Sequence, residues 1–261
     1  MSSPLAHLPA IGALRSYVFR RRFLGFQALP NVLLASFPVL IAGVAAAHGV
    51  SDPYALYGEY IVPICVYFAL PFMCMFTVLP ILGELYDNSS IGYFYTRPTP
   101  RWVTLLGILQ GSLLAMLPIL IAAAVIPGVM LMSAAPEGTD DAWMSRITGL
   151  SAVLVLGAIP YSALCLLLGV WFKRAILWAA FFLIGWGAFF GSLPGSIRFT
   201  SPHRYLLSLI REWCQIQNTW TGMFSTDPNP PTAITSILVI AGASVLFFLM
   251  GDRAAKKRDV L

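Results

Sequence analysis

Long apolar runs alternate with short polar connections along most of the chain, and this pattern predicts membrane-spanning helices. Each run is about as long as the roughly 20 residues that a helix needs to cross a hydrocarbon core about 30 Å thick. The third run is longer, so we expect its prolines to kink it or its far end to extend beyond the hydrocarbon. The pattern predicts six spans, at Leu29–Ala47, Tyr60–Gly83, Trp102–Leu131, Ile147–Phe172, Ala175–Leu193 and Thr232–Met250.

The composition agrees with this pattern. Hydrophobic residues make up 58% of the 261 residues and charged residues only 10%, whereas soluble proteins carry about 25% charged residues. The sequence therefore predicts an all-α integral membrane protein. We expect residues 1–28 to form a cytoplasmic amphipathic segment, residues 29–250 to form a six-helix transmembrane domain, and residues 251–261 to form a basic cytoplasmic tail.

Lysine and arginine fall unevenly on the two sides of the predicted membrane. Twelve of the sixteen lie in the terminal segments or in the second and fourth connections, and four lie in the other connections. Because the richer side is normally cytoplasmic, both termini are predicted to lie in the cytoplasm, at the inner (plasma) membrane. We attribute the net charge of +5 to contact with anionic membrane lipids, and we expect no nucleic-acid partner.

The basic segment before the first span has the spacing of a helix. Ile11, Leu14, Val18 and Phe26 fall toward one side, and arginines lie between them. This pattern favours an amphipathic helix that lies on the membrane surface. A basic tail that only sets the topology is the alternative.

The start of the chain also has features of a secretory signal, because arginines precede an apolar run that ends in small residues at Ala45–Ala47. However, a long segment precedes this run, and the run is long enough to span a membrane. We therefore expect an uncleaved first span.

The predicted spans contain almost no acidic, histidine or lysine side chains at membrane depth, although ion-coupled pumps and carriers depend on such groups. The sequence contains no GxxxxGK[ST], HExxH or GxSxG motif and no CxxC pair. These observations argue against a membrane enzyme, and we expect no metal site or cofactor in this chain. If the protein moves a substrate, the energy is expected to come from another chain.

Small residues recur at helical spacing in two spans. Gly187, Gly191 and Gly195 are four residues apart in and after the fifth span, and Gly107 and Gly111 lie near the start of the third. Such spacing lets two helix backbones approach closely. It is consistent with packing inside one chain, and also with a subunit or gate interface.

The outer connection, residues 195–231, contains a predicted helix. Ser201 can cap it and Pro202 suits its first position. The charged Arg204, Arg211 and Glu212 fall on one side. We interpret the segment as an interfacial or re-entrant helix that serves as an outer gate, whose apolar side contains Tyr205, Leu206, Leu209, Ile210 and Trp213.

The cytoplasmic connection, residues 84–101, is the densest group of polar, aromatic and proline residues in the chain. Asp87, Asn88 or Ser89 can cap a short helix. Pro98 and Pro100 end any preceding helix and stiffen the approach to the third span. A capped helix, aromatic rings and a stiff turn together are typical of an element that docks into a partner.

At these residues the chain resembles the permease subunits of ABC transporters of the type-2 exporter class. In that family the loop after the second span contains an acidic residue, a Gly-Thr or similar pair, an apolar run and a Pro-x-Ser-Arg sequence. Here Ser89 and Ser90 replace the Gly-Thr pair, and Pro100 stands where a serine is usual. The matching positions, which we predict to dock the ATPase, are Asp87, Ser89, Ser90, Ile91, Tyr93, Phe94, Tyr95, Pro98 and Arg101.

The resemblance implies a subunit that pairs with a second permease copy, identical or homologous, and docks two copies of a separate ABC ATPase. ATP and magnesium would bind to that ATPase. Loop 84–101 would act as the coupling helix, and closure of the ATPase pair would switch the permeases between inward-open and outward-open states. The residues leave the substrate open. An ATP-independent carrier or channel and a membrane scaffold for a cytoplasmic partner are the alternatives.

Overall fold

The computed structural model describes residues 8–87, 100–135, 140–172, 174–183, 202–216 and 231–257, and the secondary structure within these ranges is helical throughout. Apart from one long helix, α3, described next, the main helices are α1 (Leu8–Phe23), α2 (Leu29–His48), α4 (Arg101–Met132), α5 (Asp140–Trp171), α6 (Ala175–Ala180), α7 (Pro202–Trp213) and α8 (Ala233–Lys257).

Helix α3 is built from four successive stretches. Asp52 caps its start, because its carboxylate accepts hydrogen bonds of 3.0 Å from the backbone N–H groups of Tyr54 and Ala55. Two of the stretches are π-helical. The prolines at positions 63 and 71 have no backbone N–H to donate, and the wider π-helical turns beside them change which carbonyl groups the neighbouring N–H groups bond to. The stretches are Pro53–Leu56, Tyr57–Ile61 (π), Ile64–Ala69 (π) and Leu70–Asp87.

Five helices among the described residues are long and apolar enough to cross a membrane, which is consistent with a multi-pass membrane protein. The predicted fifth span, Ala175–Leu193, is described only as far as residue 183, where α6 covers its first turns. Gly187, Gly191 and Gly195 lie outside the described residues. The five helices are Phe26–His48, Pro53–Leu85, Arg101–Met132, Asp141–Trp171 and Ala233–Lys257.

Helices α3 and α5 form the centre of the bundle, and each is buried along most of its length. They run in the same direction, because Gly157 of α5 lies against Leu70 and Gly169, further along α5, lies against Leu82. Helices α2 and α8 lie at the periphery, where most of their surface is exposed. In a membrane such an apolar periphery faces lipid or another chain.

Helix α8 runs parallel to α5. Near its end, Gly251 packs against Leu166. Near its start, Ser236 bonds to α7, and α7 in turn contacts the first half of α5. We call the end of the bundle where α3 ends and α4 begins the α1 end, and the opposite end the α7 end. Helices α3, α5 and α8 therefore all run from the α7 end to the α1 end.

Candidate functional site: the supports of the 88–99 connection

Most of the predicted docking residues lie outside the described residues. Asp87 is the last residue of α3 and Arg101 is the first residue of α4. The structure therefore describes how the two flanks of the connection are held. The predicted positions outside the described ranges are Ser89, Ser90, Ile91, Tyr93, Phe94, Tyr95 and Pro98.

The first flank is held by Glu84, which lies one helical turn before the end of α3. Its carboxylate lies 2.7 Å from the guanidinium of Arg21 and 3.8 Å from that of Arg22. It also accepts a 2.8 Å hydrogen bond from the side-chain amide of Gln27. Glu84 thus ties the end of α3 to the last turn of α1 and to the short segment that leads into α2.

Arg22 is the most buried of these cations, with a side chain only 3% exposed. Burial lowers the pKa of its guanidinium, and the nearby carboxylate of Glu84 opposes that shift. The Nε and Nη2 atoms of Arg22 have no hydrogen-bond partner among the described residues. Glu84 is therefore the group that offsets a buried positive charge, through an ion pair that is longer than a hydrogen bond.

Helix α1 packs against two glycines of α4, Gly107 and Gly111. A Cβ atom on Gly111 would come within 2.6 Å of the Cβ of Val18 and 2.9 Å of the backbone oxygen of Arg15. A Cβ atom on Gly107 would come within 2.9 Å of a methyl group of Leu14. The absence of side chains at these positions lets the two helices approach closely.

This packing changes the interpretation of the basic segment. Ile11 and Val18 are buried on the side of α1 that meets α4, so that side faces protein. Phe26 was expected on the same side, but it is 87% exposed. It lies in a separate 3-10 turn, Phe26–Ala28, because α1 ends at Phe23 and the helical spacing no longer applies.

The second flank is held by Arg101. Its guanidinium Nη1 donates a hydrogen bond to the backbone oxygen of Ala255, in the last turn of α8. A cation near the end of a helix suits both the free carbonyl groups and the negative end of the helix dipole. Asp252 and Lys256 form an ion pair in the same turn. The connection is thus fixed to α1 through one flank and to α8 through the other.

One buried hydrogen bond lies deeper between α2 and α3. The side-chain amide of Asn31 donates to the hydroxyl of Thr77 at 2.8 Å, and both side chains are buried. Asn31 lies near the start of the first predicted span and Thr77 lies within the second. An amide near the start of an apolar run is itself the signal, because such a group requires a partner within the bundle.

A helix, α7, is observed where the sequence predicts one within residues 195–231. Leu206, Leu209 and Ile210 are buried, Tyr205 and Trp213 are partly buried, and Leu206 lies against Gly157, midway along α5. Polar contacts join α7 to α8: Ser208 and Ser236 share a 2.6 Å hydrogen bond, and Glu212 accepts a 3.0 Å bond from the N–H of Ala233. The helix is therefore embedded among its neighbours.

The described residues contain no group of three histidine, cysteine, aspartate or glutamate side chains that could hold a metal ion. Tyr67 of α3 and His203 of α7 are in ring contact, with centroids 3.8 Å apart, and His203 is buried. This pair holds the first turn of α7 against the centre of the bundle.

No protein-family model matches the chain, and a search of curated proteins finds no match either.

Proposed function

We propose that this chain is the membrane-spanning permease subunit of an ATP-driven ABC transporter, of the type-2 exporter class. It couples to a separate ATPase through cytoplasmic loop 84–101. The observation that carries the proposal is the bracing of both flanks of residues 88–99, through Glu84 to α1 and through Arg101 to α8. A loop braced in this way passes a force from a docked motor to helices at opposite ends of the sequence.

The proposal includes six crossings, with both termini in the cytoplasm. Helices α5 and α8 run in the same direction, which supports one further crossing by the chain between them. That crossing makes six with the five long apolar helices. The distribution of lysine and arginine supports a cytoplasmic position for the α1 end.

In this mechanism the ATPase binds ATP and magnesium, and the permease supplies the moving path. Closure of the ATPase pair displaces loop 84–101, and α1, α3, α4 and the end of α8 follow as a connected unit. The contacts between α7 and its neighbours then open or close the outer end. A rigid-body switch of this kind requires no charged group within the spans.

A second permease copy completes the transporter. Each copy carries one coupling loop, so a homodimer or a heterodimer of homologues binds two ATPase copies. The apolar peripheries of α2 and α8 face membrane lipids and, in part, this second copy.

Co-purification tests the proposal directly. The chain, expressed with the ATPases of its own cell, is expected to retain one that carries a Walker A motif. Replacing Phe94 and Tyr95 with alanine is expected to lower ATPase association and stimulation at least tenfold, because aromatic anchors dominate docking energies. Membrane insertion is expected to stay normal.

Tyr60, an exposed aromatic residue on α3, provides the matched control. Tyr60→Ala is expected to leave ATPase stimulation unchanged. Equal stimulation in the loop variant and the wild type would remove the docking assignment. Transport by the purified chain alone in liposomes without ATP would favour the alternative of an ATP-independent carrier or channel. Retention of a cytoplasmic partner without transport would favour a scaffold.

A further inference from the structure

Arg146 occupies a preorganised position at the α7 end. Its guanidinium carbon lies 3.4 Å from the centroid of the Tyr54 ring. Its Nη1 atom donates a 3.1 Å hydrogen bond to the backbone oxygen of Tyr54. The stacking and the hydrogen bond fix the planar group while the side chain stays partly exposed, so donors remain for a group outside the protein.

Two buried donors at this position have no acceptor among the described residues. They are the Nε of Arg146 and the indole Nε1 of Trp143. The Trp143 ring is fully buried and makes edge contacts with Tyr54 and Tyr57, so it belongs to the same cluster. A buried N–H without a partner costs free energy, and a bound acceptor oxygen would offset that cost.

Arg146 forms no ion pair with a carboxylate among the described residues. Asp52 also lies at this end, but its carboxylate caps α3. No carboxylate among the described residues thus lies within ion-pair distance of Arg146, and the charge of Asp52 acts on it only at longer range. A fixed guanidinium that makes no direct ion pair within the described residues is suited to an oxyanion, especially a phosphate, which accepts two parallel N–H bonds.

The depth of Arg146 identifies the source of that phosphate. The residues from 147 to 172 contain no acidic or basic side chain, and Arg146 directly precedes them. Where such a stretch enters a bilayer, the residue before it lies at the level of the lipid headgroups. Tyrosine and tryptophan rings are enriched at the same level.

We propose that Arg146, Trp143 and Tyr54 form a binding site for the phosphate group of a membrane phospholipid. The fixed guanidinium of Arg146 binds the phosphate oxygens. The indole N–H of Trp143, which is buried, supplies a further donor through a bridging water molecule, and the Tyr54 ring holds the guanidinium in place. The bound lipid stabilises the start of α3 against α5.

The test compares lipids that differ only in the phosphate group. The purified full-length chain in detergent receives phosphatidylglycerol, diacylglycerol with the same acyl chains, or inorganic phosphate. Thermal unfolding and native mass spectrometry measure binding. Phosphatidylglycerol is expected to raise Tm and to be retained, whereas diacylglycerol and inorganic phosphate have little effect.

Variants then locate the site. Arg146→Gln is expected to weaken phosphatidylglycerol binding about tenfold, the loss expected for a charge-assisted hydrogen bond. Arg146→Lys, which keeps the charge but loses the two-pronged geometry, is expected to bind with intermediate affinity. Trp143→Phe keeps most of the ring packing and removes the N–H. It is therefore expected to weaken phosphatidylglycerol binding while leaving the Tm of the lipid-free protein close to the wild-type value.

Arg211→Gln is the matched control, because Arg211 is an exposed arginine on α7. It is expected to leave phosphatidylglycerol binding unchanged. Three results would each overturn the proposal: equal binding by the Arg146→Gln and Arg211→Gln variants, an equal response to diacylglycerol, or a full response to inorganic phosphate alone. The last result would assign the site to a soluble phosphate compound.

Discussion

At the scale of single residues, the Glu84 carboxylate joins segments that are far apart in the sequence. It lies near the end of α3, while Arg21, Arg22 and Gln27 lie before α2. An exposed ion pair contributes little to stability, but Arg22 is buried. The interaction with Arg22 therefore matters most, because the loss of Glu84 would leave a buried positive charge without a counterion.

Glu84→Gln is accordingly expected to destabilise the protein. The loss is about 1–2 kcal/mol, since Glu84 is partly exposed and the ion pair with Arg22 is long. Thermal unfolding in detergent measures it, as a fall in Tm of roughly 3–6 °C. Asp141→Asn, which removes an exposed carboxylate at the α7 end, is expected to leave Tm unchanged. An equal Tm for both variants would contradict the role given to Glu84.

Single-residue roles of this kind are difficult to predict from the sequence. Glu84 directly follows the second predicted span, but its partners depend on how α1 returns to the bundle. Arg22 and its neighbours looked equivalent in a basic segment that was interpreted as lipid-facing. Arg22 differs from its neighbours because its side chain is buried. Burial depends on tertiary packing, which cannot be deduced from the helical spacing of one segment.

At the scale of elements, α1 depends on two positions without side chains. The sequence predicts Gly107 and Gly111 as packing positions. Their partner could be a helix of the same chain or a helix across a subunit or gate interface. The structure places α1 against both glycines. The partner could not be identified in advance, because the spacing of small residues shows that a close approach is possible but not which helix makes it.

Gly111→Leu is expected to displace α1 from α4. The new side chain would meet the backbone of Arg15 as well as Val18, so rotation of a side chain cannot relieve the clash. Overpacking of this kind costs about 1–3 kcal/mol. We expect a lower Tm and faster trypsin cleavage at the arginines of α1.

Gly242→Leu is the matched control for this experiment. Nothing lies within 4 Å of a Cβ atom on Gly242, which is also in a helix. The Tm of this variant is expected to equal the wild-type value or to rise slightly, since glycine is a poor helix former. Its rate of trypsin cleavage is expected to stay at the wild-type value. If both leucine variants behaved alike, the contact between α1 and Gly111 would be unimportant.

Helix α7 offers a test of whether the α7 end of the bundle must move. Ser208 and Ser236 lie 2.6 Å apart between their hydroxyl oxygens, so cysteines at both positions are expected to form a disulfide under mild oxidation. If α7 is an outer gate, the disulfide is expected to abolish transport-linked ATPase stimulation, and reduction is expected to restore it.

Variants in which only one of the two serines, Ser208 or Ser236, is replaced by cysteine control for oxidation of the four native cysteines. They are expected to retain stimulation under the same oxidant. A disulfide that forms in high yield without lowering stimulation would show that α7 does not separate from α8 during the cycle. The gate interpretation of Tyr205, Leu206, Leu209, Ile210 and Trp213 would then be wrong.

At the scale of the whole molecule, two central helices are surrounded by helices that are less buried. Much of this arrangement follows from the sequence, because uninterrupted apolar runs must form helices when they cross lipid. The helical class could be predicted in this way, and the helix from residue 202 to residue 213 could be predicted from its initial proline and its helical spacing. The central position of α3 and α5 could not, because apolar runs that face lipid and apolar runs that face protein have similar compositions.

Reporter fusions test the number of crossings. A fluorescent protein that folds only in the cytoplasm is expected to be active when fused to either terminus. It is expected to be inactive when fused after residue 139, in the connection between α4 and α5. An active fusion at only one terminus would require an odd number of crossings and would contradict the six-span proposal.

The hydrogen bond between Asn31 and Thr77 also bears on how the protein is made. Helix α2 leaves the ribosome before α3, and until α3 follows, the amide of Asn31 has no partner within the lipid. An unpaired amide is poorly soluble in hydrocarbon. We therefore expect α2 to wait at the insertion machinery and to enter the bilayer together with α3, as a helical hairpin.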